Sequence, residues 1–198
     1  LVEQHADLHL WTPPGQHPQH LEAAQVRAQQ QQSAAVELRM HRLDLADVDL
    51  TVIGAGYGSA GERCMAVSVA VAVGEKTANA LMDKLIPRVE GLKIGPSTSM
   101  DADFGPVVTA AHLQKVKDYV DIGIKEGAKL RVDGRDFKLQ GYEGGFYMGG
   151  CLFDNVTRDM RIYKEEIFGP VLSVVRAKDY GEALSLAMDH EMGNGVAI

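Results

Sequence analysis

Gly54-Ala55-Gly56-Tyr57-Gly58-Ser59-Ala60-Gly61-Glu62-Arg63-Cys64-Met65-Ala66 leads directly into the apolar run 67–73, and the reading of this stretch decides the fold. The spaced glycines let backbone approach backbone closely. Val67, Val69, Val71 and Val73 then alternate with Ala66, Ser68, Ala70 and Ala72, which predicts a strand with one branched face and one small face. The small face should lie against a closely packed neighbour. Cys64 falls between the glycine-rich turn and the strand, where rigid backbone can hold a side chain toward a cleft. Such a place suits a nucleophile.

Working outward, residues 75–90 carry apolar side chains at Ala78, Leu81, Met82, Leu85, Ile86 and Val89, the spacing of one helical face, with Glu75 where the helix dipole favours it. Pro87 is expected to bend or shorten the last turn. Thr109 can cap a second helix whose stripe is Leu113, Val116, Val120 and Ile124, ended by Gly127. Short strands are expected at 129–132, around Cys151-Leu152-Phe153, at 170–175 and at 195–198, and a helix at 180–189 with Ala183, Leu184 and Ala187 inward. Strands alternating with helices of this length predict an α/β fold, a mainly parallel sheet flanked by helices. An end inside an apolar strand is read as an incomplete domain.

The first 43 residues differ from the rest. They hold five of the seven histidines, the run Gln29-Gln30-Gln31-Gln32 and Pro13-Pro14-Gly15, with no sustained apolar period. A poorly packed or unrelated extension is the reading for 1–43, and a packed domain for 44–198. The histidines lack the spacing and partners of a metal site, and no metal is expected.

At 198 residues the chain is long enough for a sizeable core. Its net charge of −7 gives no basic footprint for nucleic acid or an anionic membrane, and no apolar run approaches the length of a membrane span. Neither partner is expected. With no signal-peptide pattern and two cysteines outside any disulfide framework, a reducing compartment is expected, cytoplasmic or alternatively the mitochondrial matrix.

Three motifs have competing readings. Gly56-Tyr57-Gly58-Ser59-Ala60-Gly61 matches the dinucleotide-binding G-x-G-x-x-G, with Leu50-Thr51-Val52-Ile53 as its strand, but that turn must open a helix, whereas here a strand follows. Cys64 has Arg63 beside it to stabilise a thiolate or hold an anionic substrate, and glycine backbone N–H groups before it for an oxyanion. Cys151 reads as a buried small side chain. In Lys164-Glu165-Glu166-Ile167-Phe168-Gly169-Pro170 the paired carboxylates are either a solvated loop edge or a ribose-diol acceptor with an aromatic beside it, and the residues alone leave the two readings equal.

Glu62-Arg63-Cys64-Met65-Ala66, Lys93-Ile94-Gly95, Gly105-Pro106-Val107, Glu126-Gly127-Ala128 and the run 164–172, in this order, resemble the catalytic domain of the aldehyde dehydrogenase superfamily. With Arg63 before the cysteine and Gly193-Asn194-Gly195, the chain is most similar to the CoA-acylating branch that acts on malonate and methylmalonate semialdehyde. The resemblance covers 44–198. It implies Cys64 as nucleophile, Arg63 as the partner of the substrate carboxylate, Glu166 as ribose-binding and Phe168 as cofactor-packing residue. It also implies NAD as cofactor, coenzyme A as cosubstrate, loss of carbon dioxide, and a homo-oligomer. Family members have a dinucleotide-binding domain before the cysteine and more catalytic core beyond position 198. This chain is therefore expected to be a fragment, inactive alone, with 1–43 a frame-shifted lead-in. The competing functions are a non-catalytic fragment that associates with intact subunits and a Rossmann-type oxidoreductase.

Overall fold

Strand β4 (Val171–Ala177) lies inside a four-stranded sheet of order β1-β4-β3-β2. Its neighbours β1 (Val69–Val73) and β3 (Cys151–Val156) run parallel to it, while β2 (Lys129–Val132) pairs antiparallel with β3. All but Arg176 of β4 is buried, as a strand covered on both faces by helices must be. The computed structural model describes residues 45–193 with 195 and 196. Contacts divide the chain into Leu1–Leu43 and Asp44–Ile198, and every described residue lies in the second unit. The reading of 1–43 lies outside the described residues.

One sheet face meets α1 (Leu45–Tyr57) and α2 (Glu75–Glu90): Tyr57, Ala78, Leu81, Leu85 and Val89 pack with Leu152, Leu172 and Val174. The other meets α3 (Ala110–Lys125), the single turn α4 (Arg161–Lys164) and α5 (Tyr180–Met188), where Val116, Val120, Ile162 and Leu186 pack with Phe153, Val171 and Val175. Burying each such aliphatic side chain contributes about 1.5–3 kcal/mol. Within β1 the alternation sorts as expected, Val69 and Val71 joining the α3 side and Ala70 and Ala72 the α2 side, whereas Val67, ahead of the strand, packs on the α2 side and not with the other valines. Small side chains there let α2 seat Ala78 against the sheet, fully buried.

A buried ion pair joins the sheet to α2. Arg176 donates through Nε and Nη2 to both oxygens of Asp154, at 2.9 and 2.8 Å, and through Nη1 to Glu75 and Asn79 in the first two turns of α2. Burial pushes the Asp154 carboxyl up, but the Arg176 guanidinium and the Asn155 N–H outweigh it and hold it below its ordinary value.

Five local expectations change. The segment 50–53 is helical, because Val52, Ile53, Gly56 and Tyr57 lie on one face of α1 and pack inward. Pro87 leaves α2 intact to Glu90. In α3 the inward residue of the last turn is Gly123, against Phe153 and Ile162, while Ile124 is exposed. In α5 Leu186 is buried and Leu184 exposed. Residues 195 and 196 are not in a strand, and the rest of that expected element lies outside the described residues.

Candidate active site

The sheet brings two separated stretches of sequence together. β1 and β4 are parallel neighbours in register Val69↔Ser173, so the segments that enter them, 58–68 and 165–170, lie at the same end of the sheet. That end is the amino end of the strands. Open α/β sheets commonly bind ligands beyond the carboxyl ends, so the general rule would have pointed elsewhere.

The first segment is the nucleophile turn. α1 stops at Tyr57, whose hydroxyl donates to the Cys151 carbonyl at 2.8 Å, and a 3₁₀ turn follows over Gly58–Gly61. Ser59, Ala60 and Gly61 all have left-handed backbone, with φ of 55, 57 and 70°. Two consecutive non-glycine residues in this region cost about 1–3 kcal/mol each. A Cβ on Gly61 would fall on the Gly169 carbonyl oxygen, so this glycine is where the two segments touch backbone to backbone. The G-x-G-x-x-G glycines therefore end a helix instead of opening one. Without a helix N-terminus there is no dinucleotide turn of the Rossmann kind.

Cys64 is exposed, at the tip of a turn closed by the Ala66 N–H donating to the Arg63 carbonyl at 3.0 Å. The Val67 N–H donates to the Ala55 carbonyl at 3.0 Å, which fixes the turn to α1. Arg63 reaches back over Gly58, and its Nη2 donates to the Gly54 and Ala55 carbonyls at 2.9 and 3.0 Å. A cation there satisfies carbonyls near the helix C-terminus. Among the described residues Nε and Nη1 of Arg63 have no acceptor. Arg63 is thus an anchor of the turn with one edge of its fork available.

The second segment, 165–169, lies along the face of α3 that carries His112, Lys115, Val116 and Tyr119. Glu165 accepts from Arg161 Nε and Nη2 at 2.7 and 2.9 Å and from the Tyr119 hydroxyl at 2.6 Å. The Arg161 guanidinium, then the Tyr119 hydroxyl, pull its carboxyl down to about 2. The Glu166 side chain has no hydrogen-bond or ionic partner among the described residues, and the residue is exposed. Its carbonyl accepts from Lys115 Nζ at 3.3 Å. The two neighbouring carboxylates are therefore distinct: Glu165 is held by Arg161 and Tyr119, while Glu166 projects without such partners among the described residues. Phe168 is half-buried at φ 58°, a rare conformation for a bulky side chain, and its ring meets His112 edge-on at 6.3 Å.

His112 joins the segments. Its Nε2 lies 2.6 Å from the Phe168 carbonyl and 3.2 Å from Glu62 Oε1, and Glu62 Oε1 also accepts from the Val108 N–H at 3.3 Å. Neither His112, Lys115 nor Tyr119 stood out in the sequence. Their i, i+3, i+7 spacing behind the Thr109 cap was the available signal, and what they grip lies about fifty residues away.

The aldehyde dehydrogenase family model matches residues 40–198. The chain belongs to the aldehyde dehydrogenase family. It is 54% identical over 163 residues to the malonate-semialdehyde dehydrogenase of Pseudomonas aeruginosa, covering 80% of this chain and 33% of that protein. To the acylating, mitochondrial methylmalonate-semialdehyde dehydrogenase of Arabidopsis thaliana it is 42% identical, covering 77% of this chain and 25% of the relative. A Sinorhizobium meliloti 1021 structure assigned as a methylmalonate-semialdehyde dehydrogenase, complexed with NAD, superimposes with a TM-score of 0.76 at 68% identity, covering 77% of this chain and 31% of that one. The chain spans about a third of the length of the curated relatives it matches. The α/β fold with its mostly parallel sheet is that part of the aldehyde dehydrogenase architecture. Among the described residues no helix is long and apolar enough to cross a membrane, and no cluster of potential metal ligands occurs.

Proposed function

We propose that this segment supplies the nucleophile and part of the nicotinamide-nucleotide site of a dehydrogenase. The enzyme oxidises malonate or methylmalonate semialdehyde and passes the acyl group to coenzyme A with loss of carbon dioxide. The observation that carries the reading is the meeting of an exposed Cys64 turn with the Glu166–Phe168 segment at one end of the sheet, through the contact of Gly61 with Gly169. The semialdehyde class is taken from the names of the Pseudomonas and Arabidopsis relatives, and coenzyme A from the word acylating in the latter. A cytoplasmic location is our reading for this chain, while the Arabidopsis relative is named mitochondrial.

The residues present fit such a cofactor. The exposed Glu166 carboxylate, without a hydrogen-bond or ionic partner among the described residues, offers two acceptor oxygens to a vicinal diol, and the half-buried Phe168 ring offers an apolar face or edge beside it. NAD, when bound, supplies the acceptor for the hydride lost from the aldehyde carbon. Cys64 adds its thiolate to that carbon and afterwards carries the acyl group as a thioester, until the thiol of coenzyme A displaces it. Covalent capture divides one hard step into two easier ones. The available edge of Arg63 pairs with the substrate carboxylate. Glu165, held by Arg161 and Tyr119, fixes the backbone from which Glu166 projects.

A second reading, a non-catalytic fragment that associates with intact subunits, draws on the chain's share of its relatives' length and on β1, which has one paired side among the described residues. Hydride transfer requires a cofactor held at reacting distance, so residues 1–198 alone are expected to give no NADH. The test is a chimera in which residues 44–198 replace the matching segment of the Pseudomonas aeruginosa relative, assayed for NADH formation from malonate semialdehyde with NAD and coenzyme A. Turnover that disappears with Cys64→Ser supports the reading. Turnover unchanged by Cys64→Ser, or an inert chimera that folds, removes it.

A further inference from the structure

We infer that His112 is a positioning residue that holds the nucleophile turn and the cofactor segment at a fixed separation, acting through one shared N–H. The inference rests on the roles proposed above for Cys64, Glu166 and Phe168. A carbonyl only accepts, so the 2.6 Å contact with the Phe168 carbonyl requires the proton on Nε2. The same N–H faces Glu62 Oε1 at 3.2 Å, two residues before Cys64, and a carboxylate acceptor makes that contact charge-assisted. The side chains of Glu62 and His112 are only 9% and 19% exposed, so water competes weakly for either bond.

Both segments have reason to need such a tie. Ser59 and Ala60 on one side and Phe168 on the other are non-glycine residues in left-handed backbone, and without restraint each would relax toward ordinary dihedrals. The cofactor segment has further holds from α3. Lys115 donates to the Glu166 carbonyl, and Val116 packs so closely on Gly169 that a Cβ there would collide with its side chain. The nucleophile turn reaches α3 through Glu62, which accepts from both His112 and the Val108 N–H just before the helix cap. His112 makes polar contacts with both segments. Through it, the spacing of sulfur and ribose acceptor depends on a helix that carries neither.

The test is hydrogen–deuterium exchange on the 198-residue chain, resolved for peptides covering 62–66 and 165–169, together with the rate at which iodoacetamide modifies Cys64. For His112→Ala the expected result is a rise in exchange of about tenfold in both segments and a change in the Cys64 rate. For His112→Gln, which keeps an N–H donor, both return to within about twofold of the parent. For Glu62→Ala exchange rises in 62–66 while 165–169 stays unchanged, and this variant still decides the matter should His112→Ala fail to fold. The inference is overturned if His112→Ala alters only residues 110–125, if glutamine gives no rescue, or if Glu62→Ala leaves 62–66 unaffected. None of these readouts uses dehydrogenase turnover, so they fail or succeed apart from the chimera experiment.

Discussion

Cys64 and Cys151 each stand near glycines and at the start of or just before a strand, yet they differ in burial and in place relative to the ladder. Cys151 is the first residue of β3, fully buried beside α3, with its Sγ accepting from the Gly134 N–H at 3.3 Å and its own N–H bound to the Pro170 carbonyl. Burial pushes its thiol up to about 11, with the Gly134 N–H opposing. Cys64 lies a few residues before its strand, in a turn, and is exposed. A short shift along the chain relative to the first ladder position separates an inert core thiol from one that can meet a substrate.

The sharpest way to break this contrast is chemical. At pH 8 a thiol titrating near 11 is ionised in about one molecule per thousand, and burial slows attack further. Iodoacetamide is therefore expected to modify Cys64 about 10³-fold faster than Cys151, read by peptide mass spectrometry. Comparable rates would end the contrast.

Next in size is the backbone contact beneath Cys64. Gly61→Ala forces a Cβ onto the Gly169 carbonyl at a left-handed position, and should lower the unfolding free energy by about 3 kcal/mol or more in a denaturant titration. Gly54→Ala meets open space within α1 and should raise it by about 0.5–1 kcal/mol. Equal effects would show that the Gly61–Gly169 approach does not hold the turn.

Alkali tests the other cysteine. Its folded-state value is raised, so the folded chain keeps a proton that the unfolded chain releases; the stabilisation is complete below about 9 and is lost as pH rises toward 11. A shift of this size corresponds to about 2.7 kcal/mol, of which about 2 is lost between those pH values. The difference in stability between the parent and Cys151→Ala should shrink by about 2 kcal/mol between those pH values, and a difference that stays constant would contradict the raised thiol. A smaller loss is expected of Thr109→Ala, which removes the bond from the His112 backbone N–H to Thr109 Oγ1 at 3.1 Å. About 1 kcal/mol should be lost, with the labelling preference for Cys64 retained.

Much of the scaffold was legible because its signals are local. The apolar period of α2, the Thr109 cap of α3 and the uninterrupted run of β4 each dictate an element without reference to the rest of the chain. Residues 50–58 were harder, since their glycines lower helix propensity by about 1 kcal/mol each, and only the burial of Tyr57 and the seating of Gly56 against the Val67 carbonyl reverse the balance. Leu186 replaces Leu184 inside α5 because Tyr163, from the opposed turn, donates to the Leu186 carbonyl and fixes the helix's rotation. At the candidate site, Cys64, Arg63, Glu166 and Phe168 stood out through family motifs. Local sequence could not choose between Glu165 and Glu166, because the choice is made by Tyr119 and Arg161. Nor could it reveal His112, whose partners lie on two other segments.

The most direct measurement of the central claim needs no cofactor. An activated ester such as p-nitrophenyl acetate acylates a nucleophilic thiolate without hydride transfer. Incubated with the 198-residue chain and followed by mass spectrometry, it should place a single acetyl group on Cys64, which added coenzyme A then removes as acetyl-CoA. Acetylation at Cys151 or scattered over lysines, with Cys64 unmodified, would contradict the account.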